Sequence, residues 1–183
     1  IIHLNHFERL NELVQDAKSK GATVIEINPA QEDFSQQEHH KIVPTLILNP
    51  TDDMKVMKEE IFGPLMPVKT YKDFNETVNF INKNPKALAL YYFGDDKTEM
   101  NNVLDNTSSG QAVINDVLFQ FSMHNLPFGG VGPSGMGAYH GYDGFKNFSH
   151  KRSVLKGQNI LDAGKMITAP FTESTEKNIK RLT

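Results

Sequence analysis

The chain has 183 residues, which is long enough for one domain with its own core and a small appendage. Its 38% apolar residues, 22% charged residues and net charge of −3 are typical of a soluble globular protein and argue against nucleic acid as a main partner. No apolar run approaches the roughly 18 to 20 residues that span a bilayer, so we predict no membrane segment. The absence of cysteine excludes a disulfide, a thiolate zinc site and a thiol nucleophile within these residues.

Helical and strand-like patterns alternate along the first two thirds of the chain. Apolar residues recur at helical spacing over 5–20, and Gly21 follows as a stop signal. Asp73, and either Asp95 or Asp96, stand where they can cap later helices. The predicted elements, in chain order, are a helix over 5–20, strands over 22–27 and 43–48, a short helix over 54–59, a strand over 65–71, a helix over 73–84, a strand over 87–93, a helix ending near 109 and a strand over 111–114.

This order of elements indicates the fold class. Strands that alternate with helices at this spacing predict an α/β fold with a largely parallel sheet flanked by helices. Further along, the pattern predicts a short turn over 144–150, an outer strand over 152–155 and an extended or partly helical tail from 157 onward.

A glycine-rich stretch, LPFGGVGPSGMGAYHG over 126–141, holds six of the chain's 13 glycines. That density favours a long shaped loop, and such loops often carry function. The stretch includes a G-x-G-x-x-G match at Gly130, Gly132 and Gly135. However, the nearest strand ends at Ile114, a proline interrupts the match and no helix-forming run follows, so the context argues against a dinucleotide phosphate loop. We interpret the glycines as permitting positive φ and close backbone packing.

The segment EEIFGP, over 59–64, is a second candidate site. A carboxylate followed by a Phe and a tight Gly-Pro turn predicts that both side chains point outward. The carboxylate of Glu60 can accept both hydrogen bonds of a vicinal diol such as a ribose. The ring of Phe62 can pack against a planar heterocycle. The alternative is structural, with Glu60 solvated and Phe62 in the core.

The remaining polar residues do not predict a metal site or a nucleophile. The pair His39 and His40 lies in a polar stretch with no third ligand at usable spacing. Ser134 is not at a strand-to-helix elbow, as a hydrolase serine would be. We therefore predict no metal ion within this chain, and these patterns identify no catalytic residue.

Taken together, these stretches resemble the aldehyde dehydrogenase superfamily over residues 1–156. The E-x-F-G-P and P-F-G-G motifs occur in the family's order, and GMGAYHG followed by FSH looks most like the branch of coniferyl-aldehyde and fatty-aldehyde dehydrogenases. The matching segments are MKEEIFGPLMPVKTY (57–71), LALYYFG (88–94), TSSGQAVINDV (107–117), LPFGGVGPSGMGAYHG (126–141) and FKNFSHKRSV (145–154).

The resemblance implies oxidation of an aldehyde to a carboxylate with NAD or NADP as cofactor. In the family, a cysteine thiolate attacks the aldehyde, hydride passes to the nicotinamide, and water hydrolyses the thioester with a glutamate as general base. Those groups and the dinucleotide-binding domain lie upstream of E-x-F-G-P in the family, so none of them maps onto this chain. We therefore expect the 183 residues alone to be inactive.

The resemblance also assigns roles to particular residues. It implies that Glu60 holds the nicotinamide ribose hydroxyls, that Phe62 packs against the nicotinamide, and that Phe128 lines the substrate pocket. It places His6 and Arg9 among polar cofactor contacts.

Further along the chain, the resemblance implies that His140 and the pair Asn115 and Asp116 fix loops through hydrogen bonds. Gln120 departs from the His that the resemblance would imply at this position near the substrate pocket. The strand from Ser153 to Lys156 would join a partner subunit's sheet in a homodimer or homotetramer.

The expected organisation is a catalytic-domain portion over 1–151, an oligomerisation strand over 152–157 and a C-terminal tail over 158–183. Because Ile1 leads directly into a helical pattern without Met, we expect a piece of a longer protein. The expected location is the cytoplasm. Two other hypotheses remain open at this point. One is a binding or oligomerisation module without catalysis, and the other is a different α/β enzyme that uses His140 or Ser134.

Overall fold

Helices alternate with four-residue strands along most of the chain. The computed structural model describes residues 1–35, 37–157, 164 and 168–182. The helices are α1 (Leu4–Ser19), α2 (Phe74–Lys83), α3 (Lys97–Asn106), α4 (Gly141–Asn147) and α5 (Glu173–Leu182). The strands are β1 (Thr23–Glu26), β2 (Thr45–Leu48), β3 (Leu65–Val68), β4 (Ala89–Tyr92) and β5 (Gln111–Ile114), and short 3₁₀ turns lie at Lys55–Met57, Phe119–Ser122 and Gly132–Ser134.

These elements fall into two units. The first unit comprises Ile1–Lys86 and Gly94–Ser108, and it holds α1, α2, α3 and the first three strands. The second unit comprises Ala87–Phe93 and the described residues from Ser109 onward, with β4, β5, α4 and α5.

Two of the three strand pairings among the described residues are parallel. In the first unit, β2 pairs in parallel with β3, so that Thr45 lies opposite Leu65. In the second unit, β4 pairs in parallel with β5, and Ala89 lies opposite Gln111. The exception is β1, which runs antiparallel to β2. The predicted α/β class with largely parallel pairing is therefore confirmed, although the strands form two small sheets.

Helix α1 supplies half of the first unit's core. The His3 side chain caps its N-terminus by accepting the His6 N–H, and Gly21 follows its C-terminus with φ +87°. Its buried residues recur at spacings of three and four, so they lie on one face of the helix. The core comprises Leu10, Leu13, Val14 and Ala17 of α1 with Ile47, Met54, Val56 and Leu65.

The predicted capping residues set the starts of the next two helices. Asp73 Oδ1 accepts the Asn75 N–H at 2.8 Å and caps α2. Asp96, rather than Asp95, caps α3 by accepting the N–H groups of Thr98 and Glu99. The strands and the 54–59 helix are shorter than predicted, and the latter is a single 3₁₀ turn at Lys55–Met57.

Two expectations for the second unit differ from the structure. The predicted turn over 144–150 is largely replaced by α4, which starts at Gly141, the last residue of the glycine-rich stretch, so the expectation of no helix there is wrong. Residues 151–157 form no strand within the described chain, and Val154 and Leu155 are exposed. A strand completed by a partner subunit has no partner in a single chain, so the oligomerisation segment stays a prediction.

The tail contains α5, in line with a partly helical tail, while its residues 158–163, 165–167 and 183 lie outside the described part of the chain. None of the helices that the structure describes has the length and apolar character needed to cross a membrane.

Leu10→Ala tests the role of α1 in the core. Leu10 is fully buried, so its truncation should lower the free energy of unfolding by about 2 to 5 kcal/mol in urea denaturation. Leu4→Ala on the same helix is the control, because Leu4 is 52% exposed and its loss should change stability by about 0.5 kcal/mol or less. Equal losses in the two variants would contradict this account of the core.

Asp16 connects α1 to the 3₁₀ turn, and this connection should depend on pH. The Lys55 backbone N–H donates to Asp16 Oδ2 at 2.8 Å and Lys20 Nζ lies 3.0 Å from Oδ1, and these contacts hold the pKa of Asp16 below its usual value. A lowered pKa means that the carboxylate stabilises the fold above the unfolded pKa, and that this contribution is lost as the pH falls through the folded pKa.

Asp16→Asn lacks the carboxylate at every pH. The stability difference between wild type and Asp16→Asn should therefore be largest near neutrality and shrink below about pH 4, as urea titrations at several pH values would show. Asp105→Asn, at an exposed site on α3, is the control. A difference that is constant with pH would exclude this role for Asp16.

Candidate cofactor and substrate loops

The EIFGP loop, residues 60–64, connects the 3₁₀ turn to β3 and presents its two candidate side chains to solvent. Glu60 is exposed and Phe62 is 75% exposed, so Phe62 does not belong to the core of this unit. Phe62 has φ +49°, a left-handed conformation that is uncommon for a bulky residue. This backbone geometry is what carries the ring outward.

Two side chains of α1 hold the backbone of this loop. Arg9 Nη1 donates to the Glu60 carbonyl at 3.2 Å, and Arg9 Nη2 donates to the Ile61 carbonyl at 2.5 Å. His6 Nε2 lies 2.7 Å from the Phe62 carbonyl oxygen, to which it donates when its proton is on Nε2. Three successive carbonyls of the loop are therefore bound by one helix.

An ion pair and a glycine complete the contact between helix and loop. Arg9 Nη1 also lies 3.5 Å from Glu59 Oε2. A Cβ built on Gly63 would lie 2.5 Å from Cδ1 of buried Leu10, so the loop backbone lies directly against α1. A residue larger than glycine would require the Leu10 side chain or the loop to shift.

The side chains of His6 and Arg9 bind the loop itself, and the cofactor contact that the resemblance implies for them stays a prediction. Sequence reasoning did not predict these contacts, because more than 50 residues separate the partners. The available signal was their i, i+3 spacing, which places both on one side of α1.

The exposed groups of the EIFGP loop fit a nicotinamide nucleoside. A carboxylate has acceptor sites for two hydroxyl groups, and the backbone carbonyl of Glu60 is held by Arg9. The exposed Phe62 ring offers a flat apolar surface to a heterocycle. The structure therefore brings together both residues that were predicted to bind the cofactor.

Phe128 lies in the second unit, where the glycine-rich loop (126–141) folds back on itself. Phe128 and Tyr139 form an antiparallel bridge with two N–H···O bonds of 2.9 Å. A Cβ on Gly129 would lie 2.0 Å from the Gly137 carbonyl oxygen, and one on Gly130 would lie 2.0 Å from that of Ser134. The glycines are needed because the two arms of the loop are in direct backbone contact.

Polar side chains fix the ends of this loop. Gln111 at the start of β5 donates to the Gly129 carbonyl at 3.1 Å. His140 Nδ1 lies 3.2 Å from the Leu126 carbonyl, in agreement with a loop-fixing role. The hydroxyl of Ser134 both accepts from and donates to the backbone of Val131, so it is engaged in shaping the turn.

A cavity of about 620 Å³ lies against the glycine-rich loop. Phe128 is half-buried in its wall, and the Tyr139 ring lies 5.5 Å from the Phe128 ring in an edge-to-face arrangement. The other lining residues are apolar or small, apart from Ser134 and Asn147. Gln120, the position that departs from the resemblance, donates through Nε2 to the Tyr91 hydroxyl at 2.9 Å. Among the described residues, no three metal-ligating side chains lie close enough to hold an ion.

Comparison with known proteins identifies the class to which this fold and these loops belong. The profile of the aldehyde dehydrogenase family matches residues 1–154. The chain belongs to this family. The match includes both the EIFGP loop and the glycine-rich loop, so the resemblance drawn from the motifs is confirmed.

Individual members of the family are similar to this chain over most or all of its length. A probable coniferyl aldehyde dehydrogenase of Caulobacter vibrioides is 58% identical over 156 residues, which are 85% of this chain and 32% of that protein. The substrate-bound structure of Staphylococcus aureus AldH is similar to this chain with 36% sequence identity and a TM-score of 0.73. The match covers 100% of this chain and 38% of the AldH chain. A betaine aldehyde dehydrogenase from S. aureus was solved in complex with NAD⁺ and is 27% identical, with a TM-score of 0.68. The match covers 81% of this chain and 30% of the dehydrogenase chain.

The chain thus spans about a third of the length of these relatives. The neighbours include a form with bound NAD⁺, which supports the use of this class of cofactor in the family.

The close packing inside the glycine-rich loop can be tested with two alanine substitutions. Gly130→Ala should force the arms of the loop apart and speed hydrogen exchange at the Phe128 and Tyr139 amides, which pair across them. Gly132→Ala is the matched comparison, because its Cβ would enter open space and only the φ of +61° is unfavourable, by about 1 to 2 kcal/mol. Exchange that is accelerated more in Gly132→Ala than in Gly130→Ala would contradict this packing.

Proposed function

We propose that this chain forms the C-terminal part of the catalytic domain of an NAD(P)-dependent aldehyde dehydrogenase that converts an aldehyde to the carboxylate. The observation that carries the proposal is the EIFGP loop, whose carboxylate and ring both face solvent while its backbone is held from behind by α1. Membership of the family supplies the reaction class. No cysteine is present among the 183 residues, so the thiol that attacks the aldehyde would belong to another part of the enzyme.

The roles proposed for the first unit follow from the chemistry of its exposed groups. Glu60 accepts the hydrogen bonds of both ribose hydroxyls, which fixes the rotation of the attached ring. Phe62 covers one face of that ring and excludes water from it. When bound, the nicotinamide supplies the hydride acceptor. Orientation by Glu60 and Phe62 is worth large rate factors, because hydride transfer requires a short and well-aligned approach.

The proposed substrate contact in the second unit is Phe128. Its ring and that of Tyr139 form an aromatic wall, which suits a planar aryl aldehyde such as coniferyl aldehyde or a long apolar chain. The name of the Caulobacter relative supports the aryl aldehyde.

Self-association and location in the cytoplasm are further parts of the proposal. The segment 151–157 exposes apolar residues, with Leu155 at 97%, and it forms no strand within the described chain. Such a segment can add to the sheet edge of a second copy and give a homodimer or homotetramer.

Glu60→Gln tests the proposed function in the complete enzyme that contains this chain. The amide keeps the shape but lacks one acceptor and the charge, so hydride transfer should slow by roughly tenfold to a hundredfold. Single-turnover formation of NADH or NADPH from an aldehyde and its deuterated form measures this step directly.

Glu38→Gln, an equivalent change at an exposed carboxylate before β2, should leave the rate unchanged. The ribose role of Glu60 would be excluded if Glu60→Gln transferred hydride at the wild-type rate. Wild-type enzyme that oxidises no aldehyde with NAD or NADP would refute the proposed function as a whole.

A further inference from the structure

We propose that Arg9, assisted by His6, is a positioning residue that holds the EIFGP loop in its cofactor-binding shape before any cofactor arrives. The inference rests on the proposed function, because it assigns a purpose to the shape of that loop. It differs from the sequence expectation, in which Arg9 and His6 would contact the cofactor themselves.

The first argument is the strained backbone of the loop. Phe62 has φ +49°, which for a non-glycine residue is unfavourable and persists only when the surroundings determine it. The stabilising contacts lie at this residue and the two before it, because the carbonyls of Glu60, Ile61 and Phe62 are all bound by α1. Without those donors, Phe62 would relax to an ordinary conformation and its ring would turn away.

The second argument is the chemistry of the arginine side chain. A guanidinium group presents several N–H donors in one rigid plane, so Arg9 binds two successive carbonyls at once and still contacts Glu59 at 3.5 Å. The ammonium group of a lysine is a compact point charge on a flexible stem and does not reproduce this fork. The Arg9 side chain is 32% exposed, so water screens its attraction to Glu59, and the hydrogen bonds to the carbonyls carry most of the effect.

The third argument is that the helix does not need Arg9 for its own packing. Four buried apolar residues anchor α1 in the core, and Leu10 packs directly against Gly63. The loss of the guanidinium should therefore loosen the loop while α1 stays in place. This separation makes the inference testable by substitution.

The experiment compares wild type, Arg9→Ala, Arg9→Lys and Lys18→Ala in the complete enzyme that contains this chain. Lys18 is the matched control, since it lies on α1 and pairs with Glu26 at 3.9 Å, away from the loop. The first measurement is hydrogen exchange of residues 59–65 without cofactor. The others are NADH affinity by fluorescence titration, single-turnover hydride transfer, and hydrolysis of an activated ester, which uses the thiol but no nicotinamide.

We expect Arg9→Ala to speed exchange in the loop at least tenfold without cofactor and to slow hydride transfer by roughly tenfold to a hundredfold. Ester hydrolysis should stay within about twofold of wild type. Arg9→Lys should show the same changes with a smaller magnitude. This more conservative variant therefore still tests the proposal if Arg9→Ala does not fold. Lys18→Ala should change none of these quantities.

Wild-type loop exchange in both Arg9 variants would overturn the proposal. If NADH affinity nevertheless fell, Arg9 would instead be a direct cofactor contact. Failure of the proposed function would be seen separately, as a wild-type enzyme that does not oxidise aldehydes with NAD or NADP. In that case the exchange comparison would still test whether Arg9 holds the loop.

Discussion

The packing of Leu10 against Gly63 is the constraint on which the first candidate site depends. It places the loop backbone within reach of α1, and a Cβ at position 63 would require the Leu10 side chain or the loop to shift. The approach in turn lets Arg9 and His6 bind successive carbonyls. A hydrophobic contact in the core thus brings two polar side chains of α1 to the loop, and their bonds support the backbone that exposes Glu60 and Phe62.

The fold was predictable wherever short-range chemistry determines it. Asp73 begins its helix as the sequence predicts, because an N-cap needs only its own next few N–H groups. The prediction failed at α4, since glycines at 141 and 144 argue against a helix on propensity alone. The surrounding structure overrides that propensity, and Tyr139 packs 3.5 Å from the Cβ position of Gly144.

The sequence identified candidate residues for the site but not the contacts that hold them in place. The order of motifs pointed to Glu60, Phe62 and Phe128 as candidates, and the tight turn predicted the outward orientation of the first two. The hydrogen bonds from Arg9 and His6 join positions more than 50 residues apart, and no local pattern reports such a contact.

The glycine-rich loop shows why a glycine motif alone does not define a ligand site. A phosphate cradle needs backbone N–H groups that converge on open space. Here the Cβ position of Gly130 lies 2.0 Å from the Ser134 carbonyl oxygen, and that of Gly135 lies 3.1 Å from Gly130. The interior of the loop is therefore filled by its own backbone. The same spacing of glycines that would accommodate a pyrophosphate in a strand-to-helix turn instead lets two arms of one loop pack together, and the surface they build is the wall that carries Phe128.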